Sequence, residues 1–222
     1  MKGFKKRLKT SVFVIIGVII GLIIISLPSE ADTKHGWNLI LVNNQYKIPA
    51  DYQMNLVELN NGQKVDKKIY PYLMDMLKDM EKDGIHAFVS SGYRTNSYQQ
   101  QLLDQRVEAY KSEGYNSIKA FVQARNWVAL PGHSEHNLGI AVDINNKSTT
   151  SSQEVYKWLS NNAYQYGFIK RYPGDKIEIT NIHSEPWHYR YVGYEHAKYI
   201  YEHNLCLEEY IGLLEKSNYK LV

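Results

Sequence analysis

The chain has 222 residues, of which 44% are hydrophobic and 13% aromatic, enough for one packed domain plus a short appendage. Its net charge of +3 is unevenly placed: Lys2, Lys5, Lys6, Arg7 and Lys9 crowd the N-terminus, and the rest is slightly acidic, so nucleic-acid binding loses its electrostatic footing. The single cysteine, Cys206, excludes an intrachain disulfide and any cysteine-rich zinc motif.

Residues 1–27 read as a basic cluster followed by an uncharged apolar run, Ser11–Leu27. Its length favours an uncleaved membrane anchor over a cleaved signal, with the cationic end held in the cytoplasm. Residues 28–36 read as a polar linker, and 37–222 as the folded domain. Trp37–Val42 is β-prone, Asn43-Asn44 marks a turn, and Lys47–Met54 looks irregular around Pro49. A helix is expected from Asp66, because Ile69, Leu73, Met76, Leu77 and Met80 fall on one face; Gly84 ends it.

Ile85–Ser90 reads as a strand running into the turn Ser91-Gly92-Tyr93-Arg94. Thr95, Asn96 or Ser97 caps a helix to about Glu113, and Ser117 caps another to about Trp127. Pro131-Gly132 opens a loop, followed by a strand over Ile140–Ile144. Ser151 or Ser152 caps a helix to about Tyr166, which Gly167 ends. Phe168–Tyr172 and Trp187–Val192 read as strands, and Tyr194–Asn204 and Leu207–Lys216 as closing helices. Strands and helices alternate without regular βαβ spacing. The expected fold class is therefore α+β, a single domain with a central antiparallel sheet flanked by helices. Nineteen tyrosines, most of them packing residues, also suit a cleft that handles a polar ligand.

The chemistry gathers in two stretches. In the first, His136 precedes Asp143 with Gly139 between them, a spacing that suits a loop entering a strand with a ligand at either end. Asp143 sits among Ile140, Ala141, Val142 and Ile144, where a charge must be paired or bind a cation. In the second, His188 lies in Pro186-Trp187-His188-Tyr189, with Glu185 three residues earlier. On a regular strand these two would face opposite ways, so a bend at Pro186 is needed to aim both inward. Two histidines and an aspartate meet the needs of a catalytic zinc site with an open fourth position. A nearby glutamate would then move the proton of water. Arg94 would stabilise an oxyanion or clamp a substrate carboxylate. Spacing alone leaves His133 and His183 as alternative ligands, and Glu135 as an alternative base. There is no His-Glu-x-x-His, and Cys206 has no catalytic constellation near it in sequence.

From Trp37 to Lys216 the chain resembles the zinc D,D-carboxypeptidases of bacterial cell walls, of the VanY and VanX(Y) type. The matching stretches are Asn38–Asn43 with Ile48-Pro49, Ser91-Gly92-Tyr93-Arg94 with Gln99, Ser134-x-His136-x-x-Gly139-x-Ala141-x-Asp143, and Glu185-Pro186-Trp187-His188-Tyr189-Arg190-Tyr191-Val192-Gly193. The resemblance implies a hedgehog/D,D-peptidase-like fold and a Zn2+ cofactor held by His136, Asp143 and His188. It implies Glu185 as catalytic base and Arg94 at the scissile carbonyl. It places Gln99 and Ser134 in the pocket for the terminal D-alanine. The implied partner is a peptidoglycan stem peptide, met outside the bacterial membrane. An L,D-carboxypeptidase and a D,D-dipeptidase are the rival enzymes. A non-catalytic wall-binding domain is the rival class, and it would have no need of Glu185. One departure from the pattern is Asn181, where relatives usually carry glycine.

Overall fold

The computed structural model describes residues 28–147 and 150–217. The expected apolar anchor lies outside them, and none of the described helices is long and apolar enough to cross a membrane. Two short strands, β1 (Ser29–Glu30) and β2 (Tyr46–Lys47), pair in parallel. A hairpin of β3 (Leu56–Glu58) and β4 (Lys64–Asp66) follows. The main sheet holds β5 (Ala87–Ser91), β6 (Ala141–Asn146), β7 (Phe168–Tyr172) and β8 (Glu185–Tyr191) in the order β5-β6-β8-β7, with every neighbouring pair antiparallel. The mixed α/β architecture expected from the sequence is thus present.

The helices are α1 (Tyr70–Lys82), α2 (Asn96–Ser112), α3 (Ser117–Ala124), α4 (Ser152–Asn162), the single turn α5 (Ile177–Thr180), α6 (Tyr194–Glu202) and α7 (Leu207–Ser217). Thr95 caps α2 through a bond from the Tyr98 amide, and Ser151 with Glu154 forms a complete capping box on α4. On α1, Leu73, Met76 and Met80 are fully buried, each contributing about 1.5–3 kcal/mol. They share one core with Val142, Ile144 and Tyr189 from the sheet and Val155 and Leu159 from α4. A second cluster joins Ile169 and Val192 to Ile200 of α6 and to Tyr210 and Leu214 of α7.

Three local expectations are corrected. Trp37–Val42 forms no strand, although Leu39, Ile40 and Val42 are buried. Two of its carbonyls are satisfied by a side chain instead: Arg190 Nη2 donates to the oxygens of Asn38 and Ile40 at 3.2 and 3.0 Å. Asp66 does not begin α1 but ends β4, where its carboxylate accepts from the amides of Lys68 and Asn55. The helix starts at Tyr70, with Pro71 in its first turn, where a missing amide costs nothing. The third helix stops at Ala124, short of Trp127. The β3–β4 hairpin was not anticipated. It presses on the loop that carries the key residues, with the Asp66 amide donating to Gly139 O at 2.7 Å.

Candidate active site

Strand β6 alternates as the period-two rule requires: Val142 and Ile144 face the core and Asp143 turns the other way, toward a cleft. Across the ladder Asp143 pairs directly with His188. His136 arrives from a single 3-10 turn, Glu135–Leu138, whose four residues are all buried. Gly139 ends that turn at φ 72°, so the chain reverses into β6, and a side chain there would crowd Leu56 and the Asp66 backbone. One ligand atom from each of His136, Asp143 and His188 lies within 4.8 Å of the others.

The two rings are oriented differently. His136 Nδ1 meets Gly92 O at 2.7 Å, leaving Nε2 to face Asp143 Oδ1 at 3.3 Å. His188 turns Nδ1 to the same oxygen at 3.0 Å. Two imidazole nitrogens and one carboxylate oxygen, all buried, converge on a point that a divalent cation would satisfy. Nitrogen and oxygen donors in a three-ligand set suit zinc with a position open for water. Burial opposes ionisation of Asp143, but the two histidines outweigh it and hold its carboxyl well below the usual range.

Glu185 and His188 do point the same way. Tyr172 of β7 pairs with Glu185 while Lys170 pairs with Tyr189, so β8 carries extra residues around Pro186. That irregularity brings Glu185 Oε2 to 3.8 Å from His188 Nδ1. Among the described residues Glu185 makes no hydrogen bond; burial pushes it up to about 7, against the pull of His188 and Arg94.

Arg94 reaches the cleft but is not free. Its Nη2 donates to Asp143 Oδ2 at 2.6 Å and its Nε to Ser91 Oγ at 2.8 Å. Its backbone is clamped from the metal loop, with Asn137 Nδ2 donating to Arg94 O and the Arg94 amide donating to His136 O. Gln99 and Ser134 line the same cleft, of about 380 Å³. Gln99 Nε2 donates to Ala129 O at 2.9 Å, while its Oε1 is buried without a hydrogen-bond partner among the described residues.

The alternatives left open by spacing fall elsewhere. His133 binds Asn43 O through Nδ1, and the His183 ring lies tilted against Trp127 with centroids 4.6 Å apart; neither belongs to the cluster. Glu135 is fully buried on the far side of His188, between Arg171 and Arg190. It does not line the cleft, so it is not placed to act on a substrate. Cys206 is buried in the second core cluster's vicinity, and burial pushes its thiol up to about 11. Sequence reasoning missed Tyr172, whose ring lies 5.0 Å from that of His188, and Trp187 and Arg106, which also line the cleft. It also missed the Arg171–Arg190 pair. A signal existed: Arg190 shares a strand face with His188, and a buried cation there needs a partner.

The family model described as VanY: D-alanyl-D-alanine carboxypeptidase matches residues 62–194. A D-alanyl-D-alanine carboxypeptidase of Enterococcus faecalis is 50% identical over 189 residues, covering 85% of this chain and 70% of the relative. The solved structure of VanYB in complex with D-alanine-D-alanine is similar with a TM-score of 0.78 and 52% identity, covering 79% of this chain and 98% of that one. A mutant of the vancomycin resistance D,D-pentapeptidase VanY in complex with Zn(II) matches with the same TM-score and identity, covering 79% of this chain and 99% of that one. The chain belongs to the VanY D-alanyl-D-alanine carboxypeptidase family.

Proposed function

We propose that this protein is a zinc carboxypeptidase that removes the terminal D-alanine from peptidoglycan stem peptides ending in D-Ala-D-Ala. One observation carries the reading most: a buried Glu185 carboxyl, with no hydrogen bond among the described residues, stands 3.8 Å from His188 Nδ1, beside the three converging ligand atoms and inside the cleft. The family membership and the zinc- and D-Ala-D-Ala-bound relatives support it.

His136, Asp143 and His188 hold the ion. When bound, zinc supplies Lewis acidity toward the peptide carbonyl and acidifies water. Glu185, with its pKa near 7, is poised to accept the proton of the attacking water and return it to the departing amine nitrogen. Arg94 has two tasks. It fixes Asp143 through Nη2, and the rest of its guanidinium, lining the cleft, meets negative charge on the carbonyl oxygen or the substrate carboxylate. Gln99 Oε1 accepts from a substrate N–H, relieving a buried acceptor that is otherwise unpaired. Ser134 adds a hydroxyl to the wall of the same pocket. The basic and apolar N-terminal stretch supports a location at the bacterial membrane with the catalytic domain outside the cytoplasm. Protease shaving of intact cells should then remove the domain; full protection would reject that location.

The test of specificity is mass spectrometry of muramyl pentapeptide and tetrapeptide after incubation with the zinc-loaded protein. Loss of one alanine from the pentapeptide alone is expected. Loss from the tetrapeptide alone would make the enzyme an L,D-carboxypeptidase instead, and release of alanine from neither stem peptide together with cleavage of added free D-Ala-D-Ala would make it a dipeptidase.

A further inference from the structure

Glu135 adjoins a metal-binding histidine in sequence yet its side chain serves a different one in space. Its Oε1 accepts from Arg171 Nε at 2.7 Å and from Arg190 Nη1 at 2.9 Å. Its Oε2 faces His188 Nε2 at 3.5 Å. Both of those atoms are buried and have no hydrogen-bond partner. The opposite ring nitrogen, Nδ1, is the one turned toward Asp143 Oδ1 and the cleft.

A neutral imidazole carries one N–H. If Nδ1 gives its lone pair to an ion, the proton sits on Nε2, as a donor sealed inside the protein. Left unpaired, such a donor costs about 1–3 kcal/mol. Glu135 Oε2 is the acceptor placed to receive it, and closing 3.5 Å to hydrogen-bond length takes about half an ångström of movement. The two guanidiniums saturate Oε1, so the carboxylate cannot rotate away without losing both of them.

We propose that Glu135 is a positioning residue that holds His188 in the Nε2–H tautomer and so presents Nδ1 to zinc. The proposal rests on His188 being a zinc ligand. The arginine pair belongs to the device: it fixes which oxygen faces the ring. In this arrangement Glu135→Gln is more than the removal of a charge. Two guanidiniums donate only to an oxygen, so the amide oxygen stays with them and the NH2 turns to His188 Nε2. The ring is then satisfied only by keeping its proton on Nδ1, the form that cannot bind the ion. A role confined to filling space and neutralising arginines predicts lost stability with no change of tautomer.

The test joins zinc affinity by chelator competition with nitrogen-resolved NMR of the histidine rings, on the full chain. Zinc-loaded wild type should show His188 protonated at Nε2 and coordinated through Nδ1. Metal-free Glu135→Gln should show the proton on Nδ1, and this variant should bind zinc about 10–100-fold more weakly. Glu208→Gln is the control: Glu208 pairs with Arg171 at 2.7 and 2.8 Å but does not touch His188, so it should lower the melting temperature and keep wild-type zinc affinity. Unchanged zinc affinity in Glu135→Gln, or wild-type coordination through Nε2, would overturn the proposal. Should Glu135→Gln fail to fold, the wild-type spectrum still tests the role: an Nε2 proton shifted downfield by a hydrogen bond to a carboxylate is expected, and an Nε2 proton without that shift overturns it. His188→Ala separates the two layers: retained zinc there rejects the ligand assignment, whereas lost zinc there with normal affinity in Glu135→Gln rejects only the role of Glu135.

Discussion

Two glutamates flank the same histidine ring, Glu135 at Nε2 and Glu185 at Nδ1, and both are buried. Their protonation runs in opposite directions. Burial alone would raise both. At Glu135 the guanidiniums of Arg171 and Arg190 overcome it and hold the carboxyl well below the usual range. At Glu185 nothing comparable intervenes, and burial pushes the group up to about 7. The same side chain is thus held as an anion on one side of the ring and left free to take up a proton near neutrality on the other, and the difference lies in the partners supplied by β7 and β8.

The contrast makes several predictions. Glu135→Gln strands a buried cation and should lower the stability of the metal-free protein by about 3–5 kcal/mol in denaturant unfolding. A neutral effect would mean that the arginines are not held by Glu135. Arg94→Ala removes a charge from the Glu185 side and should lower kcat/KM by about 10²–10³-fold. It should weaken zinc binding as well, because Asp143 loses its 2.6 Å partner. Loss of zinc affinity without a further loss of kcat in the zinc-saturated variant would reduce Arg94 to an orienter of Asp143.

Glu185→Gln should move stability the other way. The folded state prefers Glu185 protonated, so its contribution is intact below about 4.5 and lost as the pH rises through about 7. At pH 8 the metal-free variant should be more stable than wild type by about 1–3 kcal/mol. A loss instead would show that the carboxylate is paired. The acid limb of kcat/KM in wild type should fall above the ordinary 4.5 and no higher than about 7, since zinc charge draws the group down from the metal-free value. A limb below 4.5 would contradict a raised base. The smallest effect is expected at Asn181, which holds φ 56° at the C-terminus of α5. Asn181→Gly should gain no more than about 1 kcal/mol, and Asn181→Ala should lose about that much, both read from the melting temperature. Asparagine is the residue that best replaces glycine there, which explains the departure from the family pattern without touching the metal cluster.

Much of this site was legible in the sequence because its signals are local. Asp143 in an apolar strand had to be paired or bound to a cation, and Gly139 between it and His136 had to turn the chain. The convergence of Glu185 with His188 was legible only as a requirement, since a bend at Pro186 is a property of strand pairing with β7. Glu135 competes for the role of base in the sequence because adjacency says nothing about which way a side chain leaves a 3-10 turn. Trp37–Val42 has the apolar pattern of a strand because its apolar residues are core, but two of its carbonyls pair with the Arg190 side chain, which no strand propensity encodes.

The most direct test of the account is D-alanine release from muramyl pentapeptide by zinc-loaded Glu185→Gln, with metal content measured on the same sample. One zinc per chain is expected, with turnover lowered by at least about 10²-fold. Zinc retained together with near wild-type release would contradict it, because the proton of the attacking water would then be moving without Glu185.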